Sequence, residues 1–241
     1  MVRFQVGVDE AGKGPVLGPM VAAAVRVDDG VRSDTDVRGD DGGHAGDDAA
    51  LPDGLADSKR LSADRRESLA ARLRKSETIE TAVGVVTTDE IDDPETDMNR
   101  LTVTAQVRAL VGVLRAGDRV VVDAGDVSES RFARRIEDGL VARGVTPADV
   151  TAEHGADDRF PLVSAASIVA KVERDRRIAL LADQYTEYGP LGSGYPSDRT
   201  TRAFLAEYVA TTGELPACAR RSWSTCADVL AAFEQSSLDS F

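Results

Sequence analysis

Apolar residues along this chain follow two rhythms. Phe4 to Val8 and Met20 to Val27 are short, nearly continuous apolar runs separated by a glycine turn, the pattern of two strands in a hairpin-like opening. Ile79 to Thr88 and Val150 to Glu153 read as further strands, and Arg119-Val-Val-Val-Asp123 as a short buried strand ending in a carboxylate. Elsewhere the period lengthens. Ser62 can cap a helix running to about Lys75 with Leu69 and Leu73 inward, and Leu101, Ala105, Leu110, Val111 and Leu114 recur at mostly helical spacing over Asn99 to Ala116. Leu162 to about Tyr185 predicts a long helix, and Thr200 to Thr211 and Thr225 to Phe233 predict two more. Strands and helices in this mixed order describe an α/β layer rather than a solenoid or a sandwich.

One stretch follows neither rhythm. Asp28 to Asp53 is rich in Asp and Gly, carries His44 and has almost no apolar residue, so it lacks the packing that would offset its ordering entropy. It reads as a surface insertion, and its acids lack the ordered spacing and closing Glu of a calcium loop. The expected organisation is a main α/β domain over residues 1–199, with the acidic insertion at 28–53, and a helical appendage over 200–241. A chain of 241 residues with 42% hydrophobic content is long enough for this arrangement. Cys218 and Cys226 fit neither a zinc spacing nor a disulfide framework, so they read as reduced, buried thiols of a cytoplasmic protein. No secretion signal or membrane-length apolar run is present, and no membrane partner is expected.

The net charge of −13 argues against an ordinary nucleic-acid binder, but the kind of charge changes that conclusion. Lys stands only at positions 13, 59, 75 and 171, the other cations are Arg, and Asp is abundant throughout. This is the composition of a salt-adapted protein, kept hydrated by carboxylates. At about 1 M salt the Debye length is only about 3 Å, so an acidic surface no longer excludes a nucleic acid.

The chemistry concentrates at Gly7-Val-Asp-Glu-Ala-Gly-Lys-Gly14, where adjacent carboxylates end an apolar run before a glycine turn. Carboxylate oxygens are hard ligands for Mg2+ or Mn2+, and glycines let backbone N–H groups approach a phosphate. Neighbouring strand residues point to opposite faces, so Asp9 and Glu10 are expected to converge only if the strand ends or bulges near Gly12. The same residues satisfy the spacing of a nucleotide-binding P-loop, but Gly14 stands where that loop needs a Ser or Thr hydroxyl. Asp123, ending its all-Val strand, falls where α/β sheets place their sites and is a third ligand candidate.

Val6 to Pro19 closely resembles the opening motif of ribonuclease HII. Asp57-Ser-Lys-Arg-Leu-Ser62, Val120-Val-Val-Asp123, Ser164 to Asp175, Gly192-Ser-Gly-Tyr-Pro-Ser-Asp198 and Arg221-Ser-Trp-Ser-Thr225 resemble that family too, in its order and in its archaeal version. The resemblance implies a ribonuclease H-like mixed β-sheet flanked by helices, with a small C-terminal helical appendage. It implies a metal-dependent endoribonuclease that cuts RNA in RNA–DNA hybrids and nicks 5′ of single ribonucleotides in duplex DNA, leaving 5′-phosphate and 3′-hydroxyl ends.

By the same resemblance the catalytic and metal-binding residues are Asp9, Glu10, Asp123 and Asp175, with two Mg2+ or Mn2+ ions as cofactors. Glu173, beside Asp175, is expected to be a surface neighbour. Gly12, Lys13 and Gly14 match the family's Gly-Arg-Gly motif at the ribonucleotide, with Lys13 in place of the commoner Arg, and Tyr195 matches a tyrosine that packs on the sugar. Ser58, Lys59 and Lys171 are expected phosphate or active-site contacts; His154 is read as structural and Trp223 as a packing anchor. The expected partners are RNA–DNA hybrid, ribonucleotide-containing duplex DNA and a replication sliding clamp, with the protein a monomer. The related ribonuclease HIII ranks second because no separate N-terminal substrate-binding domain precedes Asp9, and a noncatalytic nucleic-acid or partner-binding module is the reading from another class.

Overall fold

The computed structural model describes residues 5–27, 51–55 and 61–238. Most of the acidic insertion, with His44, and the expected contacts Ser58 and Lys59 lie outside the described residues. A five-stranded mixed sheet has the order β3-β2-β1-β4-β5. Its strands are β1 Val6–Ala11, β2 Met20–Val27, β3 Ile79–Val86, β4 Arg119–Asp123 and β5 Asp149–Glu153. β1 pairs antiparallel with β2 and parallel with β4, and β4 pairs parallel with β5. The helices are α1 Ala63–Lys75, α2 Thr88–Ile91, α3 Met98–Val111, α4 Glu129–Val141, α5 Pro161–Gln184, α6 Arg199–Thr212 and α7 Ser224–Leu238. None among the described residues is long and apolar enough to cross a membrane.

Local chemistry explains several boundaries. Ser62 caps α1 by accepting a hydrogen bond from the Arg65 amide, and Leu69, Ala70 and Leu73 form its buried stripe. The helix α4 is absent from the apolar reading of the sequence. Ser128 caps it, and Phe132, Ile136 and Leu140, four residues apart, are its buried stripe.

The described chain divides into two compact units. The described residues of the first lie within Met1–Ala11, Val21–Val85 and Thr102–Val172, and those of the second within Gly12–Met20, Val86–Leu101 and Glu173–Phe241. The core of the first joins β2 (Ala23, Val25), α1 (Leu69, Leu73) and the small residues Ala165, Ala166 and Ala170 of α5. The second gathers Val16, Leu17, Ile178, Leu191, Phe204 and Leu205 around Cys218 and Cys226. Both thiols are free and buried, and burial raises each to about 11, leaving them protonated and unreactive at neutral pH.

Two glycines set how closely helices approach the sheet in the first unit. A Cβ on Gly7 of β1 would lie 2.3 Å from the carbonyl carbon of Leu162 on α5, and one on Gly84 of β3 would lie 2.1 Å from the Ala105 carbonyl oxygen on α3. Gly7→Ala is therefore expected to destabilise the fold by about 3 kcal/mol, the upper range for overpacking. Urea unfolding at constant salt should show a lower midpoint with an unchanged slope; an unchanged midpoint would contradict this packing.

Candidate active site

Acidic residues gather at the C-terminal ends of the central parallel strands. Val6, Gly7 and Val8 of β1 lie opposite Val120, Val121 and Val122 of β4, and the next residue on each strand is an acid, Asp9 and Asp123. The expected strand end near Gly12 is found: β1 stops at Ala11, with no bulge before it. β1 continues to Ala11 in unbroken register with β2, with Asp9 opposite Ala23 and Glu10 opposite Ala22. Regular pleating sends the two carboxylates to opposite faces. Asp9 shares its face with Gly7, towards α5, and accepts a hydrogen bond from the Ser167 hydroxyl. Glu10 takes the other face, towards α3, where Gln106 Nε2 donates to its Oε2 at 2.7 Å.

Gln106 also donates to the Asp123 carbonyl at 3.0 Å, so one fully buried amide ties the acidic ends of both strands together. The Asp123 carboxylate accepts the Ala156 amide at 2.8 Å, and the Asp9 carboxylate accepts the Glu10 amide at 2.7 Å. Lys171 Nζ donates to Ser167 Oγ at 2.8 Å, which places a cation one hydroxyl away from Asp9. Of the expected contacts in this unit, Lys171 thus lies beside the acids.

Asp9 is only 6% exposed. Burial, followed by the charges of Glu10 and Asp123, pushes its carboxyl well above the ordinary value near 3.8, against the opposing pull of Ser167 and the Glu10 amide. Among the described residues no three acidic, His or Cys side chains converge as they stand on one ion. The reason lies in the geometry above: Asp9 and Glu10 occupy opposite faces, and protein N–H groups take oxygens of all three acids. The donor set nevertheless suits a hard divalent cation. It consists of carboxylates destabilised by mutual repulsion, next to a Gln106 whose buried Oε1 has no hydrogen-bond partner.

A further acid, outside the sequence reading, adjoins a residue that binds Asp123. Asp157, 7% exposed, lies in a 3-10 turn Ala156–Asp158 just after β5, beginning with the residue whose amide binds Asp123. Its signal was the Asp157-Asp158 pair beyond the end of a strand neighbouring Asp123, the same logic that singled out Asp123 itself. His154, nearby, is exposed, and its amide is bound by Glu129.

Asp175 belongs to the second unit, on α5, where its half-exposed carboxylate lies 3.7 Å from Arg174 Nη1. Glu173 is not a surface neighbour. It is 8% exposed and accepts hydrogen bonds from Arg176 and Arg177, which hold its carboxyl below the ordinary range. The second unit also brings together the Gly12–Gly14 turn and Tyr195. Gly12 has φ +87°, and a Cβ on Gly14 would lie 3.9 Å from the Tyr195 ring. Tyr195 is 41% exposed, and the Arg174 guanidinium stacks on it at 5.2 Å.

The raised carboxyl of Asp9 has a measurable consequence. The folded protein binds this proton more tightly than the unfolded chain, so stability falls as pH rises from about 3.8 through the folded value, and the cost persists above it. Asp9→Asn removes the cost. In EDTA, thermal unfolding is expected to show the variant more stable than wild type at neutral pH, by a margin that shrinks towards pH 3.8. A variant less stable by the same amount at every pH would contradict the charge account.

Comparison with known proteins adds a second line of observation. The ribonuclease HII family profile matches residues 6–36 and 47–226. A ribonuclease HII from Halobacterium salinarum is 55% identical over 241 residues, covering 100% of both chains. Among solved structures, the ribonuclease H2 of Pyrococcus horikoshii OT3 superposes with a TM-score of 0.77 at 38% identity, covering 95% of this chain and 98% of that one. The ribonuclease HII solved in a complex with PCNA from Archaeoglobus fulgidus gives a TM-score of 0.71 at 36% identity, covering 93% and 95%.

Proposed function

Because the chain belongs to the ribonuclease HII family and is an endoribonuclease, we propose that it cuts RNA in RNA–DNA hybrids and nicks 5′ of single ribonucleotides embedded in duplex DNA. Products carry 5′-phosphate and 3′-hydroxyl ends. The observation that carries this reading is the set of acids on adjacent strand ends, Asp9, Glu10 and Asp123, in a chain of this family. Their oxygens would hold Mg2+ or Mn2+, which when bound supplies an activated water and stabilises the departing 3′ oxygen. The protein's own groups orient the reaction. Gln106 keeps Glu10 and the end of β4 in place, and Ser167 with Lys171 does the same for Asp9. Backbone groups of Gly12, Lys13 and Gly14 and the ring of Tyr195 would read the 2′-hydroxyl and sugar that separate RNA from DNA. Ser58 and Lys59 would contact phosphate. The solved complex of the A. fulgidus relative supports a sliding clamp as partner, and the enzyme acts as a monomer.

Two acids compete for the fourth catalytic position. Asp157 is favoured because it is buried and adjoins the residue bound to Asp123, whereas Asp175 is half-exposed beside Arg174. The test is steady-state cleavage of an RNA–DNA hybrid by Asp123→Asn, Asp157→Asn and Asp175→Asn. Asp123→Asn and Asp157→Asn are expected to lose about a hundredfold or more in kcat, with Asp175→Asn changing it by much less. Wild-type-like turnover in Asp123→Asn would defeat the whole reading, and the reverse order of Asp157 and Asp175 would restore Asp175 to the site.

A further inference from the structure

The second unit holds two guanidinium groups that are buried rather than paired at the acidic surface. Arg220 is 0% exposed and Arg174 is 6% exposed. Burying a guanidinium is costly unless a carboxylate compensates it. Among the described residues Arg174 has the half-exposed Asp175 at 3.7 Å as its carboxylate, its Nη2 binds the Ser193 carbonyl at 3.0 Å, and its buried Nε meets no partner. Arg220 directs its donors to main-chain carbonyls instead: Nη2 to Gly12, Nη1 to Lys13 at 3.0 Å and Nε to Gly18 at 2.9 Å. Trp223, whose ring lies 5.1 Å from that guanidinium, gives its indole N–H to the Gly14 carbonyl at 3.4 Å.

Every carbonyl of the Gly12–Lys13–Gly14 turn is therefore drawn to the Arg220–Trp223 side. In a trans peptide the C=O of one residue and the N–H of the next point in opposite directions. With the Gly12 and Lys13 carbonyls held by Arg220, the N–H groups of Lys13 and Gly14 point away from it, on the part of the turn where Gly14 is exposed against Tyr195. Two successive N–H groups facing one way, backed by a cation, form an anion-binding concavity. Burial, and then the charge of Arg174, lowers Arg220 to about 10, so it stays protonated at neutral pH and the two cations act on one region.

We propose that Arg220 is a positioning residue for the substrate: it holds the carbonyls of the Gly12–Gly14 turn so that the N–H groups meet a phosphodiester, and with Arg174 it supplies attraction from beneath the turn. This deepens the ribonucleotide-cleaving reading and rests on it. A buried charge is screened far less by salt than an exposed one, so such a device suits an acidic protein that cannot use a basic surface patch.

The test is steady-state kinetics on duplex DNA carrying one ribonucleotide, for wild type, Arg220→Gln, Arg220→Lys and Trp223→Phe, across the KCl range in which each stays folded by circular dichroism. Arg220→Gln is expected to raise KM about tenfold, the effect of losing a hydrogen-bonded charge, with kcat changed much less. Arg220→Lys, which keeps charge and loses the fork, should fall between. Trp223→Phe, which removes one donor, should raise KM by about threefold. If Arg220→Gln does not fold, the other two variants decide. The KM ratio to wild type should hold as KCl rises. Folded variants with wild-type KM, a loss confined to kcat, or a ratio that collapses to one at high KCl would each overturn the proposal. The same substitutions in an Asp123→Asn background, with duplex binding followed by fluorescence anisotropy, keep the two readings apart: absence of cleavage by wild type would defeat the proposed function, while unchanged binding in the Arg220→Gln double variant would defeat the role of Arg220.

Discussion

At Gly7 the backbone of α5 stands where any side chain on β1 would have to go, and this contact governs what happens two residues later on the same face. A Cβ there would lie 2.3 Å from Leu162, so only glycine lets the helix lie this close. The buried run of Ala165, Ala166, Ser167, Ile168, Val169 and Ala170 continues the approach. Asp9 is thereby taken out of water while Ser167 is brought within hydrogen-bonding reach. Packing, local electrostatics and chemistry are thus linked through one missing methyl group.

The acidic cluster is under electrostatic tension that its neighbours only partly relieve. Asp9 feels Glu10 and Asp123 in a desolvated position, and the compensating groups are a hydroxyl, backbone amides, the Gln106 amide and a lysine one hydroxyl away. Such an arrangement is costly for folding and useful for binding a cation, which removes the repulsion when it arrives. In the second unit the signs are reversed, with buried cations beneath a turn of backbone donors.

Much of this was legible in the sequence because it depends on local pattern. The limits of β2, the strand Arg119–Asp123 and the capped helix α1 agree with the apolar rhythm and with Ser62. The helix α4 was hidden because its stripe of three apolar residues is interleaved with Glu, Arg and Asp, a run that reads as a solvated face. β1 runs further than its apolar residues suggest because two carboxylates continue the ladder to Ala11. Asp157 has no local signature because a short 3-10 turn has no periodicity, and its relation to Asp123 follows from strand order rather than from spacing. The grip of Arg220 on Gly12 joins residues 208 positions apart, which no local pattern reveals.

The most direct test of the central claim is cleavage of a labelled DNA duplex containing one ribonucleotide, with Mg2+ or Mn2+ against EDTA, over a wide KCl series, with both new ends mapped. Metal-dependent nicking on the 5′ side of the ribonucleotide, leaving 3′-hydroxyl and 5′-phosphate ends and persisting at high KCl, is the predicted result. Cleavage confined to longer RNA tracts, or cleavage that survives EDTA, would contradict it.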